Sequence, residues 1–156
     1  MQAPFNAVVS MALSNPRFEA SYGRLFGPNV SADSHASDGF FEQFYARFLT
    51  HPAVAELFAE TDMERQVQML KRSLFQLVAY YVSGQPTSEL RRITEVHARL
   101  NVSGAMFDDW LEALIDTVAD VDHQADEATL LAWCWALAPG ITFMRLQLGS
   151  GEPQSG

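Results

Sequence analysis

The sequence predicts an all-α protein, and three observations carry that reading. From Phe40 onward, apolar residues recur at spacings of three and four, the period of a helix buried on one face. Residues that start helices (Pro, Ser, Thr, Asp) and residues that stop them (Gly, Pro) punctuate the chain at helix-length intervals. No run alternates apolar and polar at period two, as a half-buried strand would, and no segment repeats.

The elements follow in order. Residues 1–16 read as a flexible N-terminal segment ending in a turn at Asn15-Pro16. Phe18 to Phe26 forms a short helix stopped by Gly27-Pro28, and the polar stretch Asn29 to Gly39 is a loop. From Phe40, the residues Phe41, Phe44, Tyr45, Phe48 and Leu49 give one aromatic-rich helical face. Pro52 opens a short helix ending near Phe58, since proline suits a first turn. Thr61 or Asp62 caps the next helix, whose stripe Met63, Val67, Leu70, Leu74, Leu77, Val78, Tyr81 ends at Gly84-Gln85-Pro86. Thr87 or Ser88 caps a helix reaching Arg99, and Ser103 caps another with Met106, Phe107, Trp110, Leu111, Leu114, Ile115 and Val118 inward. The last helix spans Asp126 to Leu148 with Leu130, Trp133, Leu137, Ile141 and Met144 inward, and Pro139-Gly140 should kink it rather than end it. One domain, residues 17–148, is expected, followed by a tail, 149–156 (GSGEPQSG), that is disordered by composition.

With 156 residues the chain can bury a sizeable core without disulfides, and its single Cys134 can form none internally. One thiol suits a reducing compartment. The N-terminus has a short apolar stretch with no preceding basic residue, so a cytoplasmic location is expected, where the sequons at Asn29 and Asn101 carry no glycan. A formal charge of −9 and a pI near 4.7 disfavour nucleic acid and anionic membranes as partners. No continuous apolar run approaches the roughly 20 residues that span a bilayer.

In a helical protein the informative residue is a polar one where the period demands an apolar one. His97 lies on the stripe Leu90, Ile93, His97, Leu100. Gln66 falls between inward Met63 and Leu70, and Tyr45 between Phe41 and Phe48. Taken singly, each has a bland reading: a hydrogen-bonded core histidine, a glutamine leaning to water, a tyrosine whose hydroxyl reaches a carbonyl. Together, three polar groups on three helices of one small apolar bundle suit a pocket for an apolar cofactor.

The segments FYARFLTHPAVAELF (44–58), TDMERQVQML (61–70) and HARLNVSGAMFDDWLEAL (97–114), with Ala132-Trp133 in the final helix, resemble single-domain bacterial globins and the globin part of flavohaemoglobins. The resemblance covers Phe18 to Leu148 and implies a globin fold, a helical sandwich around a haem pocket holding haem b. It places Phe44 and Tyr45 at the distal aromatic pair and Phe58 at the phenylalanine stacked on the haem. Gln66 and Leu70 fall on the distal Gln-x-x-x-Leu pair, and His97 on the proximal iron ligand. Val102 and Phe107 are expected beside the haem, and Arg99 is the nearest of three arginines (with Arg91 and Arg92) to meet a propionate.

The chain also departs from the pattern. Flavohaemoglobins carry a tyrosine ten residues after the proximal histidine and a glutamate in the last helix; here those places hold Phe107 and Leu148, which cannot hydrogen-bond the imidazole. A globin without flavin and nicotinamide domains is expected. The function implied is reversible binding of oxygen or nitric oxide, for oxygen storage or delivery, or for nitric oxide detoxification with an external reductase. The alternative is a globin-fold sensor or interaction module whose ligand state alters a partner contact. Aromatics on the last two helices (Trp110, Trp133, Trp135, Phe143) suit either a helix-pair homodimer or a thick core. No zinc site, phosphate loop or nucleophile pair is present in the sequence pattern.

Overall fold

A computed structural model describes residues 15–27 and 38–151; most of the N-terminal segment, the loop 28–37 and residues 152–156 lie outside the described residues. Among the described residues there are seven α-helices and no strand, which bears out the all-α expectation.

Helix α1 (Pro16–Phe26) begins earlier than the sequence suggested. Asn15 is its cap, the side-chain oxygen accepting from Phe18 N, with Pro16 at the first position. Asn15 is only 4% exposed, and its amide donates to the Ala132 carbonyl at 3.0 Å. Both residues therefore belong to the folded body and not to the terminal segment, because a proline with its φ fixed starts a helix as readily as it ends a turn. Gly27 stops α1 at φ 72°, a conformation that favours glycine.

Helix α2 (Asp38–Phe48) likewise begins two residues before Phe40, taking in Gly39. Helix α3 (Pro52–Leu57) is a single short piece with proline in its first turn. Helix α4 (Met63–Ser83) is capped by Asp62, which accepts from the Glu64 and Arg65 amides, and closed by Gly84 in the left-handed region. Helix α5 (Ser88–Arg99) is capped by Thr87, whose hydroxyl also donates to Gln76 of α4 at 2.6 Å. Ser103 caps α6 (Gly104–Val121).

Helix α7 (Glu127–Gly151) starts where Asp126 accepts both the Thr129 amide and hydroxyl at 2.8 Å. It runs through Pro139 without ending and continues to Gly151, so the first three residues of the expected tail are helical. Extending an existing helix costs little, because only nucleation is unfavourable. By length and composition α7 could cross a bilayer, which the sequence reading missed. Its inner face is that of a core helix: Trp133, Ala136 and Leu137 are wholly buried.

The helices pack in pairs, α4 across α7, α2 across α6, and α1 along α7, with α5 against α4 and α7. At Gly140 the α4–α7 approach is so close that a Cβ would stand 2.5 Å from Leu77 Cδ2. Phe26, Phe40 and Phe41 join α1 to α2 through mutual ring contacts. Beneath them Asp122, 2% exposed in its side chain, accepts a bidentate pair from Arg24 at 2.8 and 2.9 Å and the Ser21 hydroxyl at 2.6 Å. Ser21 accepts in turn from Trp133 Nε1 at 2.9 Å. This network ties α1 to the α6–α7 corner.

Candidate functional site

A cleft is lined by side chains from α2, α3, α4, α5 and α6, with Ile141 and Met144 contributed by α7. It leaves about 110 Å³ free for water-sized molecules and is partly open to solvent. Tyr45, Gln66 and His97 all line it. So do Phe58, Leu70, Val102 and Phe107.

Tyr45 is delivered by the inward face of α2 and is 5% exposed. Gln66 Nε2 donates to its hydroxyl oxygen at 3.1 Å. Phe58 packs against the phenol ring edge-on, with centroids 5.8 Å apart. Burial pushes the Tyr45 hydroxyl up to about 12, with the Gln66 bond opposing, so it stays protonated throughout the physiological range. Its oxygen is already occupied as acceptor, and the O–H hydrogen remains for an acceptor in the cleft.

His97 faces the cleft from α5, its Nδ1 2.8 Å from the Ile93 carbonyl. A carbonyl only accepts, so Nδ1 carries the hydrogen and Nε2 keeps its lone pair. Burial lowers the imidazole's proton affinity, while the Ile93 bond raises it. A neutral imidazole is the form that ligates a metal. Phe107 lies nearly parallel to the ring, 29° and 6.3 Å away, and offers it no hydrogen bond. Asn101, at φ 56°, turns the chain so that Val102 closes back over the cleft, its amide reaching the His97 carbonyl at 3.4 Å.

Two expected residues are not brought to the cleft. Phe44 has no exposure and does not line it; one residue from Tyr45 on a helix, it points about 100° away and backs the wall against Phe48 and Trp110. Arg99 is exposed and outside the lining, since two residues past His97 is about 200° around the helix. Leu100, expected inward, is 49% exposed where α5 ends and does not line the cleft.

Several lining residues escaped the sequence reading. Leu90 and Ile93 could have been named from the His97 stripe, and Met106 and Trp110 from the inward face of α6. The Trp110 indole N–H has no hydrogen-bond partner among the described residues. Ser73, whose hydroxyl donates to Met69 O, carried no signal.

The donor set fits haem. One neutral imidazole faces an apolar cleft, and no group of three or more His, Cys, Asp or Glu that could hold a bare metal ion is found among the described residues. A metal that brings four ligands of its own in a flat apolar ring needs only that one.

Residues 35–139 match the family described as bacterial-like globin. A solved structure from Pseudomonas aeruginosa, of a protein described as structurally highly homologous to a human hemoglobin, is 33% identical over 83% of this chain and 94% of that one, with a TM-score of 0.70. No curated protein matches the chain.

Proposed function

The chain belongs to the bacterial-like globin family and binds haem, and from that premise we propose that it holds haem b through His97 Nε2 and reversibly binds oxygen or nitric oxide beside Tyr45. One observation carries the reading: the Gln66 amide donates to the Tyr45 oxygen and so leaves the Tyr45 hydrogen free to donate into the cleft.

The haem iron, when bound, supplies the coordination position that a diatomic gas takes. The Ile93 carbonyl fixes the imidazole's tautomer and its rotation on α5. Phe107, Leu70 and Phe58 give the cleft an apolar lining that disfavours water beside the bound ligand. Tyr45 donates to a ligand that gains negative charge on binding, with Gln66 as anchor of the phenol and second donor. Phe107 cannot make the imidazole more basic, so the site favours gas storage or delivery over peroxidase-like chemistry. Nitric oxide detoxification at this site takes its electrons from an external reductase.

The test is a visible spectrum of purified protein, oxidised and reduced, with and without carbon monoxide. A Soret band that shifts on reduction and again with carbon monoxide supports the reading. A protein that takes up haem but shows no change with carbon monoxide sinks the gas-binding role.

A further inference from the structure

Helix α7 turns a second apolar face outward. Leu131, Trp135 and Leu146 are 62, 55 and 67% exposed, and Ala138 and Thr142 between them are exposed as well. Their spacing of four, three, four and four makes one continuous stripe. From Leu130 to Gly149 the only charged side chain is Arg145, in a protein of net charge −9. Tyr81 at the end of α4 borders the stripe, its ring 6.4 Å from Trp135. A solvent-facing helix surface without charge is unusual, and it lies apart from the cleft.

We propose that this outer face of α7 is the docking site of the chain's own residues 1–14. Three observations single out that occupant.

The first is where the described chain begins. Asn15 is held to the Ala132 carbonyl, Arg17 reaches Asp126 at 3.4 Å, and Arg24 pairs with Asp122. Ala132 lies on α7, Asp126 just before it and Asp122 at the end of α6, so α1 advances from α7 toward the α6–α7 corner. Traced backward from Asn15, the chain leads away from that corner, the direction in which Trp135 and Leu146 follow Ala132 on α7.

The second is length. The stripe from Leu131 to Leu146 is about 22 Å long at 1.5 Å per residue. Residues 1–14 reach about 21 Å as a helix, and more if extended.

The third is chemistry. Residues 1–14 contain no charged side chain, and Phe5, Val8, Val9, Ala12 and Leu13 fall at i, i+3, i+4, i+7 and i+8, one apolar face. An uncharged apolar segment suits an uncharged apolar stripe. A second copy of the chain would instead bring together two chains that each carry a net charge of −9.

The experiment uses the full chain with haem, labelled with 5-fluorotryptophan, the Trp135 fluorine signal being identified by its loss in Trp135→Phe. The expected signal has the small solvent-isotope shift of a covered indole, unchanged on dilution, and Val8→Asp with Val9→Asp moves it to the value of a solvated one. In parallel, Leu131→Asp, a surface change that leaves the core intact, should speed proteolytic cleavage beside Phe5 or Leu13 by roughly 10-fold or more, the tenfold step being about 1.4 kcal/mol. A Trp135 signal already solvated in the wild-type protein overturns the proposal. Protection that disappears on dilution also overturns it and assigns the face to a second copy.

Discussion

Tyr45 and Gln66 share one wall of the cleft unequally, because the amide is spent on holding the phenol while the phenol's own hydrogen is free. A hydrogen bond to a partly charged acceptor in a dry pocket contributes about 1.5–3 kcal/mol. Tyr45→Phe should therefore speed oxygen release roughly 10- to 150-fold in stopped-flow dissociation, at 1.36 kcal/mol per decade. Carbon monoxide release should barely change, since that ligand gains little from a donor. Gln66→Leu should have the smaller effect; equal oxygen release from wild type and Tyr45→Phe would remove the phenol from its role. On the other wall, His97→Ala should leave a folded helical protein without a normal Soret band, partly restored by free imidazole. Wild-type haem content in that variant would remove His97 as ligand. That these three residues meet in one cleft was legible in the sequence because each interrupts an apolar stripe. Arg99 misled because nearness in sequence ignores rotation about the helix; Phe44 was expected from the resemblance alone, and it backs the wall of the cleft instead of lining it. Ser73 could not be found, since a small polar residue that bonds its own helix breaks no pattern.

At the level of the helices, caps and periodicity located the elements, and their ends were displaced where one residue type serves two purposes. Pro16 starts a helix as well as closing a turn, and Gly149 to Gly151 prolong a helix that was already nucleated. What periodicity could not convey is the closeness of two helices, and Gly140 sets that for α4 and α7. Gly140→Ala gains about 1 kcal/mol of helix propensity. Against this, the new Cβ meets Leu77 Cδ2 at 2.5 Å and its Cα and Cβ at 3.4 Å, and overpacking of this kind costs about 1–3 kcal/mol. The cost should win, lowering the thermal midpoint by about 2–4 °C for each kcal/mol in a chain of this size. Leu77 also lines the cleft, so its displacement should weaken haem retention. Shortening the obstacle with Leu77→Ala should make the double variant less destabilised than the sum of the two single changes. Strict additivity would show that the contact is not what limits the approach.

Across the whole molecule, the order of helices and the all-α class were legible, whereas the polar network that joins the first helix to the last two was not. Asp122 and Ser21 are 101 residues apart, and nothing local marks either as buried. Asp122 sits at the end of α6, where an acidic residue ordinarily meets solvent, yet it is enclosed by α1 and α7. The hydrogen bonds from Arg24, foremost, and those from Ser21 and the Gln124 amide hold its carboxyl below the usual aspartate range, against the opposing effect of burial. The folded state thus binds its proton more weakly than the unfolded chain does. Its contribution to stability is fully present above the unfolded pKa, near ~3.9, and is lost as pH falls through the lowered folded value. Asp122→Asn keeps the shape and one acceptor oxygen but removes the charge that Arg24 faces, so its thermal midpoint at neutral pH should be lower than that of the wild type. Because the asparagine does not titrate, the gap between the two midpoints should stay constant from neutral pH down to about the unfolded aspartate value and close below it. The measurement is thermal unfolding of both proteins, prepared without haem so that acid release of the cofactor does not intrude. If the gap were the same at the lowest pH at which both still fold, the ionised carboxylate would not be the group that fastens α1 to the α6–α7 corner.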